Sequence, residues 1–226
     1  MTVTDGTPLG VGRDCVCMET AVSVASVAQA GPDTVVVELE TPREFDAEPG
    51  QFVKLSADLD GETENAFYTI SSPRVSETFE ITVGADEDAT LGKWLAERNA
   101  GDEVELMGPL GETHYEGEDS VVLFAGGPGI GPCVGIAERV AEDGGRVVLV
   151  YRDDDPVHEE RLGALEDDGA TVEVLDADEA VEDAAVSFPA DAQVFVYGFA
   201  EFLDETRDVL AAADRDPDEA KAENFG

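Results

Sequence analysis

Residues 121–132 read Val-Val-Leu-Phe-Ala-Gly-Gly-Pro-Gly-Ile-Gly-Pro, an apolar run followed by a glycine-rich turn. The apolar run is typical of a buried strand, the glycines of a tight turn, and Pro132 of the first turn of a helix. Glycines let the backbone approach a ligand closely, and a helix N-terminus offers free N–H groups to an anion. The turn therefore predicts a phosphate site. The alternative interpretation is a strand-to-helix connection that binds nothing.

The turn differs from two common phosphate-binding motifs. It is not G-x-G-x-x-G, because Pro132 occupies the place of the last glycine. No Lys-Ser or Lys-Thr pair follows it, as the P-loop of nucleoside-triphosphate enzymes requires.

The composition is strongly acidic, with 53 acidic and 13 basic residues among 226 and a formal net charge of −40. Because the acids alternate with apolar segments and 42% of residues are hydrophobic, we expect a folded chain rather than a disordered acidic tail. Such a surface repels itself unless salt screens it, which predicts a halophilic, high-salt cytoplasm. The absence of a basic patch argues against nucleic acid and anionic membranes as partners.

The sequence shows no apolar run of membrane-spanning length and no signal peptide, so we expect an intracellular, soluble protein with no membrane association. Its three cysteines and two histidines have no metal-ligand spacing, and no metal site is predicted. Cys15-Val16-Cys17 is interpreted as the start of an alternating strand, with a redox-active pair as the alternative. The oligomeric state is left open.

Two periodicities divide the chain. Short runs rich in β-branched residues predict an antiparallel barrel or sandwich interrupted by one helix over residues 90–99. Its six strands are expected at residues 22–27, 34–39, 52–55, 67–70, 79–83 and 104–107.

From residue 119 onward, strands alternate with helices, which predicts a parallel sheet wrapped by helices. The strands are expected at residues 121–125, 147–151, 171–175 and 193–197, and the helices at 132–141, 159–167 and 201–213. The change of pattern near Gly117 predicts a tail over residues 1–14, a β domain over 15–116 and an α/β domain over 117–226.

This order of domains, with the Gly-Gly-Pro-Gly-Ile-Gly-Pro turn, resembles the ferredoxin–NADP reductase family of flavoproteins. Pro-Gly-Gln-Phe-Val at 49–53 resembles the family's entry into the third strand, and Phe-Tyr-Thr-Ile-Ser-Ser at 67–72 its flavin-binding Arg-x-Tyr-Ser/Thr strand. Gly-Pro-Leu-Gly at 108–111, the strand ending at Gly198 and the terminal Glu-Asn-Phe at 223–225 also match in order. The resemblance covers residues 15–226. It implies a six-stranded antiparallel flavin-binding β-barrel followed by an NAD(P)-binding α/β domain.

The resemblance also implies site residues. Tyr68, beside Phe67, would pack on the flavin ring, and Thr69 would hydrogen-bond near flavin N5. The flavin ribityl and phosphate groups would be held by Val83 and Gly84 and by the helix start at Leu91, Gly92 and Lys93. The nicotinamide pyrophosphate would lie on Gly126, Gly127, Pro128, Gly129, Ile130 and Gly131, near Gly198. The catalytic candidates are Thr69, Tyr197 beside the nicotinamide, Glu223 for proton movement, and Phe225, which covers the flavin until nicotinamide displaces it.

Three residues depart from the family pattern. Ala66 stands in place of an arginine that pairs with the flavin pyrophosphate, and Lys93 or Arg74 is the candidate to replace it. Tyr197 replaces the usual cysteine, and Gly92 replaces a serine or threonine. For Tyr68 and Phe225 the alternative interpretation is ordinary aromatic core.

The implied function is a flavin-dependent oxidoreductase that passes hydride from NAD(P)H to FAD and electrons on to a ferredoxin-like acceptor. Arg152 could accept the 2′-phosphate of NADPH, but the three acids that follow it favour NADH. The missing arginine leaves FMN open as the flavin. The alternatives are a reductase of free flavin, a catalytically weak flavin- or nucleotide-binding subunit of a larger redox complex, and a folded chain without cofactor.

Overall fold

The computed structural model describes residues 18–86, 88–184 and 186–225. The tail predicted over residues 1–14 and the strand start predicted at residues 15–17 lie outside the described residues.

The first half forms an antiparallel sheet of six strands, as predicted. The strands are β1 (Met18–Gly31), β2 (Thr34–Glu40), β3 (Phe52–Leu59), β4 (Glu62–Thr69), β5 (Thr78–Gly84) and β6 (Glu103–Leu110). Their order is β4-β3-β6-β1-β2-β5. A single antiparallel bridge between Ile70 and Ile81 joins the two edge strands, so the sheet curls into the predicted barrel.

Alternating side chains fill the barrel. Val35, Val37 and Leu39 of β2 are buried, while the residues between them are partly exposed, which is the period of a half-buried strand. The one helix of this half, α1 (Thr90–Ala96), is shorter than the predicted 90–99. It ends early because the N–H groups of Glu97 and Arg98 bond to carbonyls three residues back, which tightens and terminates the last turn.

The second half forms the predicted parallel sheet. Its elements are β7 (Ser120–Gly126), α2 (Ile130–Glu142), β8 (Arg146–Arg152), α3 (Glu159–Asp167), β9 (Thr171–Leu175), β10 (Gln193–Gly198), α4 (Ala200–Ala212) and β11 (Lys221–Asn224). The strand order is β11-β10-β7-β8-β9, and every pairing is parallel. The edge strand β11 is the one strand of this sheet that the sequence patterns did not predict.

Each face of the parallel sheet has its own core. Val121, Leu123 and Ala125 of β7 pack on the side of α2 and α3, and Val122 and Phe124 on the side of α4. The carboxyl ends of β7, β8 and β10 lie at one edge of the sheet. In open α/β sheets, this edge is where ligands bind.

Within the part of the chain that the structure describes, no helix is long and apolar enough to cross a membrane.

Candidate functional site

A cavity of about 380 Å³ lies where the barrel, the glycine-rich turn and the end of the chain meet. It is lined by Phe52, Phe67, Tyr68, Thr69, Thr82, Gly84, Pro128, Gly131, Pro132, Phe199, Glu223, Asn224 and Phe225. The structure thus brings together three segments that the sequence predicted to act on the flavin and the nicotinamide, namely residues 67–69, the 126–131 turn and residues 223–225.

The barrel contributes the end of β4. Tyr68 is partly buried and packs against the barrel core, and burial raises the pKa of its phenol to about 12, so the side chain is neutral. Thr69 follows it on the cavity wall. Phe67 is 63% exposed, and its ring meets that of Phe52 edge to face at 5.6 Å. The exposed Phe67 therefore forms the rim of the cavity.

Of the residues predicted to hold the flavin ribityl and phosphate groups, only one lines the cavity. Gly84 lines the cavity, whereas the Val83 side chain points into the barrel core with no exposed surface. Leu91, Gly92 and Lys93 at the start of α1 are not part of the lining. A Cβ at Gly92 would overlap the carbonyl oxygen of Gly84. Close packing of α1 on β5 therefore explains why glycine replaces serine or threonine here.

The glycine-rich turn is a single turn of 3₁₀ helix over Gly127–Gly129 that leads directly into α2. Pro128 and Gly131 line the cavity. Gly127 has a φ of +55°, the left-handed region that favours glycine. Gly126 and Gly198 both lie against the ring of Phe202, where a Cβ at either position would come within 3 Å of it. Part of the glycine pattern thus serves packing.

Helix α2 crosses the barrel at close range. A Cβ at Gly131 would lie 3.1 Å from the Thr82 side chain, and one at Gly135 would lie 3.0 Å from the Ser71 carbonyl. Ile130, the first residue of α2, is fully buried in the core beneath the parallel sheet. These contacts place the N-terminus of α2, with its positive dipole end, at the cavity.

The end of the chain closes the cavity. The N–H of Phe225 donates to the carbonyl of Gly198 at 3.0 Å, which extends the pairing of β11 with β10. Its ring lies 6.5 Å from that of Phe199, edge to face, and 6.4 Å from that of Tyr197. Glu223 reaches the cavity between the two sheets. Burial raises the pKa of its carboxyl group, against the opposing effect of a hydrogen bond with Thr113.

Tyr197 does not line the cavity. Its side chain is fully buried on the α2 side of the sheet, and its hydroxyl donates to the Thr113 carbonyl at 2.8 Å. Burial raises its pKa well above the usual value. Its position accounts for another glycine, because a Cβ at Gly50 would come within 2.5 Å of the hydroxyl oxygen. Tyr197 thus joins β10 to residues 111–119, which connect β6 of the first sheet with β7 of the second.

Arg152 is held away from the cavity at the end of β8. Its guanidinium donates to Glu205 at 2.7 Å and to the Glu179 carbonyl at 3.1 Å, and stacks over the Phe202 ring. Only 18% of its side chain is exposed. The neighbouring Asp153 is closer to the turn, since a Cβ at Gly127 would lie 3.8 Å from its Oδ2.

Neither candidate substitute for the missing arginine lines the cavity. Arg74 forms ion pairs with Glu142 and Asp143 at the far end of α2. Lys93 is an exposed residue of α1. Ala66 packs on the barrel core.

Two residues that the sequence analysis did not single out connect the halves behind the cavity. His158 is buried, has a φ of +62°, and places Nε2 2.9 Å from the hydroxyl of the cavity residue Thr82. Arg161 forms a bidentate pair with Glu138 of α2, and donates to the Ser71 carbonyl at 2.7 Å. Neither contact has a local sequence signal, because the paired residues lie far apart in the chain.

Among the described residues, no group of three or more His, Cys, Asp or Glu could hold a metal ion. Cys133 is buried on α2, and burial raises the pKa of its thiol, so it is not a reactive thiolate.

The chain is similar to known proteins in sequence and in fold. Residues 21–115 match the family model of the oxidoreductase FAD-binding domain. The glycine betaine monooxygenase reductase subunit of Chromohalobacter salexigens is 34% identical over 116 residues, which are 50% of this chain and 32% of that protein. The chain thus spans about a third of the length of this relative.

Solved structures match nearly the whole chain. The flavohem-like FAD/NAD-binding domain of nitric oxide dioxygenase from Vibrio cholerae has a TM-score of 0.79 at 21% identity, over 91% of this chain and 98% of that one. A ferredoxin NADP+ reductase from Neisseria gonorrhoeae, solved with FAD and NADP, has a TM-score of 0.73 at 17% identity, over 92% and 99%.

Residues 21–115 are therefore similar to the FAD-binding domain of oxidoreductases, and the two sheets together have the fold of ferredoxin–NADP reductase-like flavoproteins. The resemblance inferred from the sequence motifs is confirmed, as is the two-domain fold class.

Proposed function

We propose that the chain is an oxidoreductase that binds FAD in the cavity between the two sheets, receives hydride from NAD(P)H and passes electrons to a separate acceptor. The observation that carries this proposal is the convergence of Tyr68 and Thr69, the glycine-rich turn and Phe225 on one cavity.

The cavity suits a planar aromatic group. Its volume of about 380 Å³ is within the range of small-molecule sites, and its lining is mainly aromatic and apolar with a few polar groups. Tyr68 and Phe225 provide rings for stacking, and Thr69 provides a hydroxyl. Bound FAD would supply the hydride chemistry and release electrons to the acceptor.

The protein's own groups orient the reactants and control protons. The partly buried rings of Tyr68 and Phe225 exclude water from the cavity, and the Thr69 hydroxyl can hydrogen-bond to the reacting edge of the flavin. Because its pKa is raised by burial, Glu223 retains a proton to higher pH than an exposed carboxyl group does, which suits it to proton exchange at the cavity.

The nicotinamide cofactor would approach from the turn. The backbone at Gly131 and the N-terminus of α2 offer N–H groups and a positive dipole end to a pyrophosphate. NADH is the preferred donor in this proposal. Arg152 is already paired with Glu205, and the Asp153 carboxylate beside the turn would repel a 2′-phosphate and accept hydrogen bonds from ribose hydroxyls.

The acceptor would dock at the rim of the cavity, where Phe67 is 63% and Phe199 52% exposed. Because the chain has a net charge of −40, it has no long-range electrostatic attraction to an acidic ferredoxin-like carrier. Binding of such a carrier would depend on these apolar side chains and on screening of the repulsion by salt. The relative from Chromohalobacter salexigens is named a reductase subunit, which supports a role in delivering electrons to a separate protein.

A second candidate function is the reduction of free flavin. None of the described residues lining the cavity is basic, and Ala66 packs on the barrel core, so the lining offers no charge-assisted clamp to a flavin pyrophosphate. A flavin held by stacking and backbone groups dissociates more readily than one clamped by arginine.

The proposal is tested on protein purified in molar salt. The released flavin is identified after denaturation, and NADH oxidation is then followed with free FMN or with a ferredoxin-type protein as acceptor. Bound FAD and transfer to the protein acceptor support the main proposal, whereas turnover with free flavin alone selects the second candidate. Protein that contains no flavin, and whose thermal midpoint does not rise with FAD or FMN, contradicts both.

A matched pair of variants localises the reaction. Thr69→Val removes the cavity hydroxyl at nearly constant volume and should slow flavin reduction by about 10- to 100-fold while leaving flavin bound. Thr171→Val makes the same change on an exposed position of β9 and should leave the rate unchanged.

A further inference from the structure

We propose that Lys221 is a positioning residue that ties β11 to the connection between the two sheets, and so sets how readily nicotinamide displaces Phe225 from the cavity. The connection comprises residues 111–119, between β6 and β7. This inference rests on the proposed function, in which Phe225 covers the flavin.

Lys221 is surrounded by groups of the connection. Its Nζ lies 2.6 Å from Glu116, 2.7 Å from Glu118 and 3.0 Å from the carbonyl oxygen of His114. The same ammonium group lies 5.0 Å from the ring centre of Phe195. One side chain of β11 thus engages three residues of the connection and its own neighbour on β10.

The ion pair with Glu118 is partly shielded from solvent, with 20% of the Lys221 side chain and 17% of the Glu118 side chain exposed, whereas 62% of the Glu116 side chain is exposed. Burial disfavours the ammonium charge, but the hydrogen bonds with Glu116 and Glu118 outweigh it and raise the pKa of Lys221. The same hydrogen bond lowers the pKa of Glu116. Salt screens such a pair less than it screens pairs on the open surface, which matters for a chain of this charge.

Lys221 is the first residue of the very short strand β11, and Phe225 directly follows its last residue. In the parallel register, Lys221 is opposite Phe195, and Glu223 is opposite Tyr197, while the Phe225 N–H bonds to Gly198. β11 is an edge strand of four residues that pairs with β10 alone. So short an edge strand has few backbone hydrogen bonds to hold it, and side-chain contacts decide how often it detaches.

Thr113 supplies a second, weaker attachment to the same connection. Its hydroxyl donates to the carbonyl of Ala222 at 3.4 Å, and its own carbonyl accepts from Tyr197. Both β10 and β11 are thus attached to residue 113. Loss of Lys221 would remove the principal tie and leave Glu116 and Glu118 to repel each other.

The consequence is a shift in population. When β11 detaches more often, Phe225 leaves the cavity more often. Less of the binding free energy of nicotinamide is then needed to displace the Phe225 ring. Loss of Lys221 should therefore tighten binding of oxidised nicotinamide, slow product release, and alter the environment of the flavin.

The experiment compares three variants in molar salt. Lys221→Met keeps the aliphatic length and removes the charge, and Lys221→Arg keeps the charge. Arg146→Met is the control, because it removes an ion pair with Asp191. The Arg146 side chain is 61% exposed, and neither residue lines the cavity. The readouts are hydrogen exchange of the Phe225 amide, NAD+ affinity, and the flavin absorption spectrum.

For Lys221→Met we expect about fivefold faster exchange at Phe225, about fivefold tighter NAD+ binding, and a changed flavin spectrum. Lys221→Arg should stay near the wild type, and Arg146→Met should match it. Unchanged exchange and affinity in Lys221→Met contradict the proposal. So does a loss of flavin and thermal stability without tighter NAD+ binding, which is the result of a merely structural role.

The exchange measurement separates this inference from the proposed function. Wild-type protein that binds no flavin refutes the function, yet the Phe225 amide still reports whether Lys221 anchors the strand.

Discussion

Gly129 lies directly against the carbonyl group of Tyr197, so that a Cβ at position 129 would overlap the carbonyl oxygen. The absence of a side chain at this position is therefore required for packing of the turn against β10. Gly127 differs, because its φ is +55° and the atom nearest to a Cβ there would be Asp153 Oδ2 at 3.8 Å. The two glycines of one turn thus have different reasons to be glycine.

The first prediction separates these reasons. Gly129→Ala should destabilise the protein by several kcal/mol and reduce flavin content as well as nicotinamide binding, because the overlap is with backbone. Gly127→Ala should weaken NAD+ binding by about tenfold with flavin content retained, since the proposed function places the nucleotide pyrophosphate on the backbone of this turn.

The control for Gly127→Ala is Gly144→Ala, which has a φ of +81° and no atom within 4 Å of the added Cβ. Both changes impose left-handed strain of about 1 kcal/mol. If the thermal midpoints of the two variants fall equally and their NAD+ affinities are the same, Gly127 is not part of the binding site.

The second prediction concerns the ring of Tyr68. Tyr68→Ala should lower flavin affinity about tenfold, because stacking of an aromatic pair contributes about 0.5–1.5 kcal/mol beyond simple burial. Tyr68→Phe keeps the ring and should bind flavin nearly as the wild type does. Flavin titration by fluorescence quenching measures both, and equal affinities for the alanine and phenylalanine variants would place the flavin elsewhere.

The third prediction concerns the choice between NADH and NADPH. Asp153→Asn removes the negative charge beside the turn and should lower the ratio of kcat/KM for NADH over NADPH by about tenfold, or about 1.4 kcal/mol. Asp154→Asn, at the more exposed neighbouring position, is the matched control. If both variants keep the wild-type ratio, Asp153 does not determine the preference.

The fourth prediction is a pH dependence of stability. Burial first, and then the charge of Arg161, lower the pKa of His158 from 6.5 to about 4. Between these values the unfolded chain binds a proton that the folded chain does not, so stability is lost as the pH falls through this window, by at most about 3 kcal/mol.

The variant His158→Asn isolates this contribution, because asparagine tolerates the φ of +62° at this position. Urea unfolding in constant salt should show a stability difference between wild type and variant that shrinks as the pH falls from 6.5 to about 4. A difference that is constant over this range would show that His158 is not held neutral by the fold.

The sequence predicted the elements whose signals are local. The strand over 121–125, the turn and the following helix are encoded by consecutive residues, and the structure has all three. β11 was missed because Lys-Ala-Glu-Asn has no apolar alternation, and it is a strand only because β10 pairs with it. Residues 223–225, which include its end, are predicted site residues because they resemble a family motif.

The side-chain directions were harder to predict. The Tyr197 side chain is buried in the α/β half and its hydroxyl donates to the Thr113 carbonyl, while its place beside the nicotinamide stays a prediction. The partners of Lys221, Arg161 and His158 are set by how the two halves pack, and no spacing within the chain indicates them. For the same reason, no sequence pattern indicates that Arg74, a candidate to replace the missing arginine, pairs with Glu142 and Asp143.

In the proposed function, hydride passes from nicotinamide to a flavin in the cavity between the two sheets. Rapid mixing of the flavin-loaded protein with NADH, without oxygen and in molar salt, tests this transfer. We expect loss of the oxidised flavin band at about 10 per second, a typical enzyme turnover, with at least tenfold slower loss in Thr69→Val. A flavin band that persists with both NADH and NADPH would contradict it.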